Sequence, residues 1–239
     1  MESVSDGDAW GLSPSDLTFL YEECQRCFWL KVAGSLPRPR APFPRIFGLI
    51  DRQTKEFFSG KRTEEISSEL PPGRVLCGDR WVRSRPLEIP GHRRPVFLRG
   101  RIDTALTFDD GTFGIIDFKT TDPKSEHLSL YGRQLHSYAL AAENAKRGSL
   151  QLKRVSIIGL LCVEPVGVAG HDEGVAYYGE PHWIEIARDD DAFLAFLSQV
   201  LFLLEQDSPP APTPGCPFCT YIAAGSLALF TGMFGNSQG

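Results

Sequence analysis

The feature that most constrains this chain is a short polar loop, Asp109-Asp110-Gly111, set between two segments rich in β-branched and aromatic residues, 97–108 and 112–121. That pattern predicts a β-hairpin. Side chains alternate across a strand, so Asp117 and Lys119 share one face while Ile116 and Phe118 share the other. With a three-residue loop and Gly111 in the left-handed position, Phe108 pairs with Thr112, and counting back sets Asp103 opposite Asp117. A two-residue loop would separate the carboxylates onto opposite faces. The three-residue register gathers Asp103, Asp117 and Lys119 on one patch of sheet.

Two neighbouring carboxylates repel unless a cation lies between them, and hard oxygen ligands suit Mg²⁺ or Mn²⁺. A lysine beside such an ion can position or deprotonate a water, or neutralise charge on a phosphoryl oxygen. Arg101, Asp103, Asp117 and Lys119 also fit a plain charged strand face with surface ion pairs. Spacing alone leaves both readings open.

Around the hairpin the chain alternates helix and strand signals. Ser13 is a predicted N-cap, with Pro14 in the first turn and Asp16 three residues on. Leu17, Leu20, Tyr21, Cys24, Cys27, Phe28 and Lys31 follow at helical spacing and place Cys24 and Cys27 on one face of a helix over 13–33. Gly34 ends it, and Pro37, Pro39, Pro42 and Pro44 make an extended connection. A second helix over 46–58 carries Ile46, Leu49, Ile50, Thr54 and Phe57 as its apolar side, with Asp51 beside them. Residues 61–72 read as a polar loop and 75–82 as a strand. A polar loop over 121–127 precedes a helix over 128–145, which sets Gln134 and Tyr138 one turn apart. The apolar run 153–163 suits a strand buried on both faces beyond a helical crossover, with Cys162 in its core and Cys77 in the core of its own strand. A strand over 175–186, a helix over 190–205 opened by three aspartates and a proline-rich linker over 208–214 complete the pattern. The last dozen residues read as loosely ordered.

Four of the six cysteines form two C-x₂-C pairs, Cys24/Cys27 and Cys216/Cys219, near opposite ends of the 239-residue chain. Each pair can hold a metal centre from one side, and together they suit one four-cysteine site for Zn²⁺ or an iron–sulfur cluster. The net charge of −5 does not advertise nucleic-acid binding. The run Arg80, Arg83, Arg85, Arg93, Arg94, Arg99 and Arg101 supplies a local basic concentration leading into the acidic patch. No apolar run spans a bilayer and the N-terminus carries no export signal, so the expected location is the cytoplasm, with no membrane partner.

In order, Gly100-Arg-Ile-Asp103, Ile115-Ile-Asp117-Phe-Lys119-Thr-Thr121 and Gln134-Leu-His-Ser-Tyr138 resemble the G-x-x-D, D-x-K and Q-x-x-x-Y motifs of the PD-(D/E)XK nuclease superfamily. The likeness is to its RecB-like branch, which includes AddB-type and CRISPR-associated iron–sulfur nucleases. Ser13-x-Ser15-x-Leu17 with Cys24, Phe28 and Trp29 resembles the branch's N-terminal helix, and Pro209-Pro210 with Cys216-x₂-Cys219 its C-terminal end. The resemblance implies a restriction-endonuclease-like α/β fold: a mixed sheet core flanked by helices in a single domain over 1–239. Its N- and C-terminal ends, 13–33 and 208–222, would be joined at the four-cysteine metal site.

The same resemblance implies a DNA nuclease acting on single strands or ends, as an exonuclease or processing enzyme, in recombination, repair or CRISPR-type processing. Helicase, CRISPR or recombination proteins would be its partners. Asp103 and Asp117 would be Mg²⁺ or Mn²⁺ ligands, joined by the backbone carbonyl of Phe118. Lys119 would orient or activate the attacking water, and Gln134 and Tyr138 would steady the site or the DNA backbone. Many relatives carry a metal-binding histidine in the helix before the hairpin; Gly48-Leu-Ile-Asp51 offers Asp51 there instead. Iron–sulfur members usually supply one cysteine from the N-terminal helix and three from the C-terminal end, whereas this chain supplies two and two. The cofactor implied at Cys24, Cys27, Cys216 and Cys219 is an iron–sulfur cluster, with Zn²⁺ the alternative. The alternative function is a non-catalytic nucleic-acid-binding module that keeps the fold and a structural Zn or iron–sulfur site.

Overall fold

The structure, a computed structural model, describes residues 8–39, 42–121, 125–172 and 174–234. Its sheet is organised on the long hairpin. Strand β1 (Trp10–Leu12) is followed by a helical run through residue 23, α1 (Gln25–Val32), α2 (Arg45–Phe58), β2 (Gly73–Arg83), β3 (Val96–Phe108) and β4 (Phe113–Lys119). Helix α3 (Ser125–Glu143) leads to β5 (Val155–Val163), β6 (Gly167–His171), β7 (Gly174–Tyr178) and β8 (Pro181–Ile186), and α4 (Asp190–Leu204) and α5 (Pro217–Phe234) close the chain. In the six-stranded sheet the order is β1-β3-β4-β5-β8, with β2 also paired to β3. β3 runs antiparallel to β2 and β4, whereas β4 and β5 are parallel, with α3 as the crossover. The mixed α/β architecture expected from the sequence is present.

The hairpin has the expected register. Thr104↔Ile116 and Thr107↔Phe113 are partners, the Phe108 amide donates to the Thr112 carbonyl at 2.9 Å, and Gly111 takes φ +84°. That left-handed turn costs glycine nothing and fixes the pairing that follows.

Both faces of the sheet are covered at its centre. Ile115, Ile158 and Leu160 pack under Leu135, Ala139 and Ala142 of α3 and Leu197 and Leu201 of α4. On the opposite face Leu106, Phe108, Ile116 and Leu161 pack with Val75, Phe58, Ile66 and Leu70. Burying a residue of this size removes about 1.5–3 kcal/mol of apolar hydration cost, which is why β5 could be read from its apolar run alone. Cys162 is buried there, whereas Cys77 is only half-buried.

Four expectations need correction. Residues 13–33 do not form one helix: Ser13 does cap the start, its Oγ accepting from the Asp16 amide at 3.2 Å, but residues 16–20 widen into a π-turn. Cys24 then adopts extended backbone (φ −162°, ψ 106°) and caps α1 from outside, so it does not share a helix face with Cys27. The single strand expected over 175–186 is two strands. β7 pairs back onto β6 as a separate exposed hairpin, and β8 alone joins the sheet against β5. The apolar side expected on α2 is only partly buried: Leu49, Ile50 and Thr54 are half-buried, Ile46 and Phe57 are exposed, and Phe58 is the residue that enters the core. Finally, the tail expected to be loose continues α5 through Phe234, with residues 235–239 outside the described set. Residues 122–124, part of the loop expected over 121–127, also lie outside it, and α3 begins at Ser125. No helix among the described residues is long and apolar enough to cross a membrane.

Candidate active site and cysteine centre

The site begins where the β3–β4 ladder ends. The last partners are Thr104↔Ile116, and the next β4 amide on that edge, Phe118 N–H, donates to Asp103 Oδ2 at 3.2 Å. N–H and C=O of one strand residue point to the same edge, so the Phe118 carbonyl also faces the opening beside Asp103. The side chains of Asp117 and Lys119 follow on the face under α3. Asp117 is 3 % exposed; its Oδ2 pairs with the Lys119 ammonium and its Oδ1 accepts from Gln134 Nε2 at 3.2 Å. The same Gln134 nitrogen reaches the Tyr138 hydroxyl at 3.4 Å, and the Lys119 ammonium lies 4.5 Å from the centre of the Tyr131 ring.

Burial pushes the Asp117 carboxyl up to about 6; the Lys119 charge opposes the shift and the Asp103 charge adds to it. Burial likewise pushes the Tyr138 hydroxyl up to about 12, with Gln134 opposing and both aspartates adding. A buried carboxylate beside a second one favours a cation that neutralises both. The Gln134 Oε1 atom is buried without a partner, while its Nε2 serves Asp117 and Tyr138. Two carboxylates and a peptide carbonyl form a hard-oxygen donor set of the kind that Mg²⁺ or Mn²⁺ takes.

The spacing of the motifs has a packing reason. A Cβ on Gly100 would approach a Tyr138 ring carbon to 2.8 Å and Pro14 Cδ to 2.9 Å. The bare backbone at Gly100 therefore lets α3 and the N-terminal turn close over β3, and so lowers Gln134 and Tyr138 onto Asp117.

Asp51 sits on α2 at the rim. With Phe118, Lys119 and Thr120 it lines one small pocket. Lys55, one turn further on, was missed by sequence reading. Its ammonium lies 2.9 Å from Asp51 Oδ2, 3.0 Å from Asp79 Oδ1 and 2.9 Å from Asp103 Oδ1. Burial opposes its charge, but the bonds to Asp51 and Asp103 and the field of Asp103 outweigh it, so its pKa is raised. Lys55 thus ties the rim carboxylates Asp51 and Asp79 to Asp103. The Asp51-x₃-Lys55 spacing was a visible helical ion-pair signal. Asp79, held at φ +52° in a bulged strand, gave none.

The four paired cysteines converge. Their sulfurs lie within 4.8 Å of one another, with Cys24–Cys219 and Cys27–Cys216 at 3.8 Å and Cys27–Cys219 at 3.6 Å. These separations exceed the ~2.05 Å of a disulfide. They match the ~3.8 Å edge of a tetrahedron whose centre is ~2.3 Å from each sulfur, the Zn–S length. Burial raises the Cys24 thiol, but amide hydrogen bonds from Thr213 and Cys27 more than offset it and bring it down to about 6; burial lifts Cys219 to about 12. The Arg38 guanidinium reaches Cys216 Sγ at 3.6 Å and lies 4.6 Å over the Phe218 ring, and Arg26 donates to the Pro210 carbonyl at 3.2 Å. A cation beside the sulfurs favours thiolate, the ligating form.

A central mixed sheet carries Asp-x-Lys on β4, a partner aspartate on β3 and a glutamine from the crossover helix beside them. The model of the PD-(D/E)XK nuclease superfamily matches residues 44–224, and the chain belongs to that superfamily. The crystal structure of SSO0001 is similar at 16 % identity and a TM-score of 0.46, covering 86 % of this chain and 80 % of that one. No curated protein matches the chain.

Proposed function

We propose that the protein is a Mg²⁺- or Mn²⁺-dependent deoxyribonuclease acting on DNA ends or single strands. A role in recombination, repair or CRISPR-type processing, alongside helicase or recombination proteins, belongs to the same proposal. The observation that carries it is Asp117, buried to 3 % exposure, between Lys119, Gln134 and the second carboxylate Asp103. A buried charge cluster of this kind costs stability, and such clusters concentrate at functional sites.

Asp103, Asp117 and the Phe118 carbonyl would hold the divalent ion, with Asp51 at the rim. When bound, the ion supplies Lewis-acid charge and makes water a stronger nucleophile at neutral pH. Lys119 presents its ammonium at the mouth of the site. There it orients the incoming water and offsets negative charge that builds on the phosphoryl oxygens. Gln134 fixes Asp117 through Oδ1 and steadies Tyr138, while Lys55 keeps Asp103 and the rim carboxylates from repelling one another.

At the four-cysteine centre the 3.6–3.8 Å sulfur spacings favour one Zn²⁺ over the iron–sulfur cluster that the motif resemblance implied. A cluster would insert a cage of iron and sulfide among the thiolates and hold them wider apart. The site would then be a structural staple between the two chain ends.

Labelled single- and double-stranded DNA incubated with Mg²⁺ or Mn²⁺ tests the activity. Wild type is expected to cleave and Lys119→Ala is not; an inert wild type, or a fully active Lys119→Ala, rejects the nuclease. Metal analysis tests the staple: one zinc per chain and a colourless protein are expected, and stoichiometric iron with visible absorbance rejects zinc.

A further inference from the structure

The basic run around residues 80–101 is not used by the metal site, and its layout is specific. Register between β2 and β3 sets Arg83 beside Arg99 and Trp81 beside Arg101. Gly78↔Thr104 and Arg80↔Ile102 are also partners, and between them Asp79 and Asp103 come together at the shared Lys55 ammonium. The alternate side chains, Val82, Leu98 and Ile102, enter the core; those of the rungs face outward. Trp81 is 68 % exposed, which forfeits most of the burial an indole offers. Phe97, at the far end, is roofed by the Arg83 guanidinium at 4.1 Å and Arg99 at 6.0 Å. Among the described residues no carboxylate pairs with Arg99, and Arg101 reaches only Asp79 at the rim, at 3.3 Å.

From these rungs we infer that the outer face of β2 and β3 is the track for single-stranded DNA entering the site. One base stacks on Trp81, and the phosphates flanking it pair with Arg101 and Arg99. This inference rests on the nuclease reading for its substrate and deepens it by naming the strand form. Same-face neighbours on a strand are about 6.6 Å apart, so a base on Trp81 stands one rung from Asp103. An exposed indole stacks on a base only when that base offers a free face, which paired, stacked bases do not. Guanidinium groups beside it suit phosphate oxygens. The chain's overall charge of −5 confines this attraction to the local stripe.

The test is anisotropy of labelled oligothymidylate and of a blunt duplex on the full chain, without Mg²⁺ or Mn²⁺. Trp81→Ala is expected to weaken single-strand binding between about 5-fold and 100-fold, the loss of one stacked base, with Trp81→Phe keeping most of it. Arg99→Gln and Arg101→Gln should each flatten the salt dependence by about 0.7 in log–log slope. Trp81 is exposed, so its replacement leaves the core intact. Unchanged single-strand binding by Trp81→Ala, or an equal loss on duplex, overturns the track. Cleavage is scored separately. If Trp81→Ala binds and cleaves like wild type while Lys119→Ala is inert, the track fails and the nuclease stands. If Trp81→Ala loses binding but wild type never cleaves, the nuclease fails and the track stands.

Discussion

Replacing Cys216 by serine should destabilise the protein far more than the loss of one buried thiol would suggest. Cys27 and Cys216 are 189 residues apart in sequence and 3.8 Å apart at the sulfurs. A metal held by all four cysteines closes almost the whole chain into a loop, including in the denatured ensemble as long as the ligands stay bound. Treated as a cross-link of that length, closure removes about 18 cal/mol/K of chain entropy, or about 5 kcal/mol at 25 °C. Domains of this kind have only about 5–15 kcal/mol to lose. The assay is urea unfolding of metal-loaded wild type, Cys216→Ser, and wild type stripped of metal under reducing conditions. With a slope of about 2.5 kcal/mol/M, the midpoint should fall by about 2 M in both altered samples. The slope should also rise, because the opened denatured chain exposes more surface. Equal midpoints for loaded and stripped wild type would refute the staple. A fall in Cys216→Ser alone would assign the effect to local packing.

Other consequences concern the carboxylate site. Lys119→Ala should lower the cleavage rate by about 10²–10⁴-fold with an unchanged circular dichroism spectrum; steady-state kinetics on a labelled oligonucleotide checks this. Lys55→Met leaves Asp51, Asp79 and Asp103 without their shared cation, and because Asp51 and Asp79 are partly solvated the expected loss is about 1–3 kcal/mol. Added Mn²⁺ should restore part of that loss in a thermal melt, and a melt that ignores Mn²⁺ would count against the cluster. Without divalent metal, Asp117 is stabilising in its protonated form, because its folded value of about 6 lies above the ordinary 3.8. Its contribution should be full below about pH 3.8 and fade as the pH rises through about 6; added Mg²⁺ should flatten that slope. Gly100→Ala should cost about 1–3 kcal/mol by driving a methyl into the Tyr138 and Pro14 rings, read by thermal unfolding.

Several features were written in local sequence because one local rule decides each. Gly111 after two aspartates fixes the hairpin loop, and a fixed loop fixes the register, so Asp103 and Asp117 could be placed together without coordinates. The apolar run of β5 reflects burial on both faces. Gln134 and Tyr138 fall on one side of α3 by helical period alone.

Other features depend on what lies across space. Helical periodicity runs unbroken through Cys24, yet the backbone there turns extended, which lets its sulfur meet Cys219. The β6–β7 hairpin lies in water, and β7 was legible only as part of the strand expected over 175–186, because its pairing with β6 rather than with the sheet is a tertiary outcome. The α2 stripe looked like a core face but is only partly covered; Phe58, stacked 5.9 Å from Phe118, is its anchor. The sequence by itself determined which carboxylates and which lysine share the sheet face, since strand alternation and a glycine turn are nearest-neighbour rules. Only the tertiary structure decided that Lys55 bridges three carboxylates from separate elements, that Gly100 makes room for Tyr138, and that the four sulfurs converge to within 4.8 Å of one another. Those outcomes depend on distances between elements, and such distances are set by how side chains pack after the elements have formed.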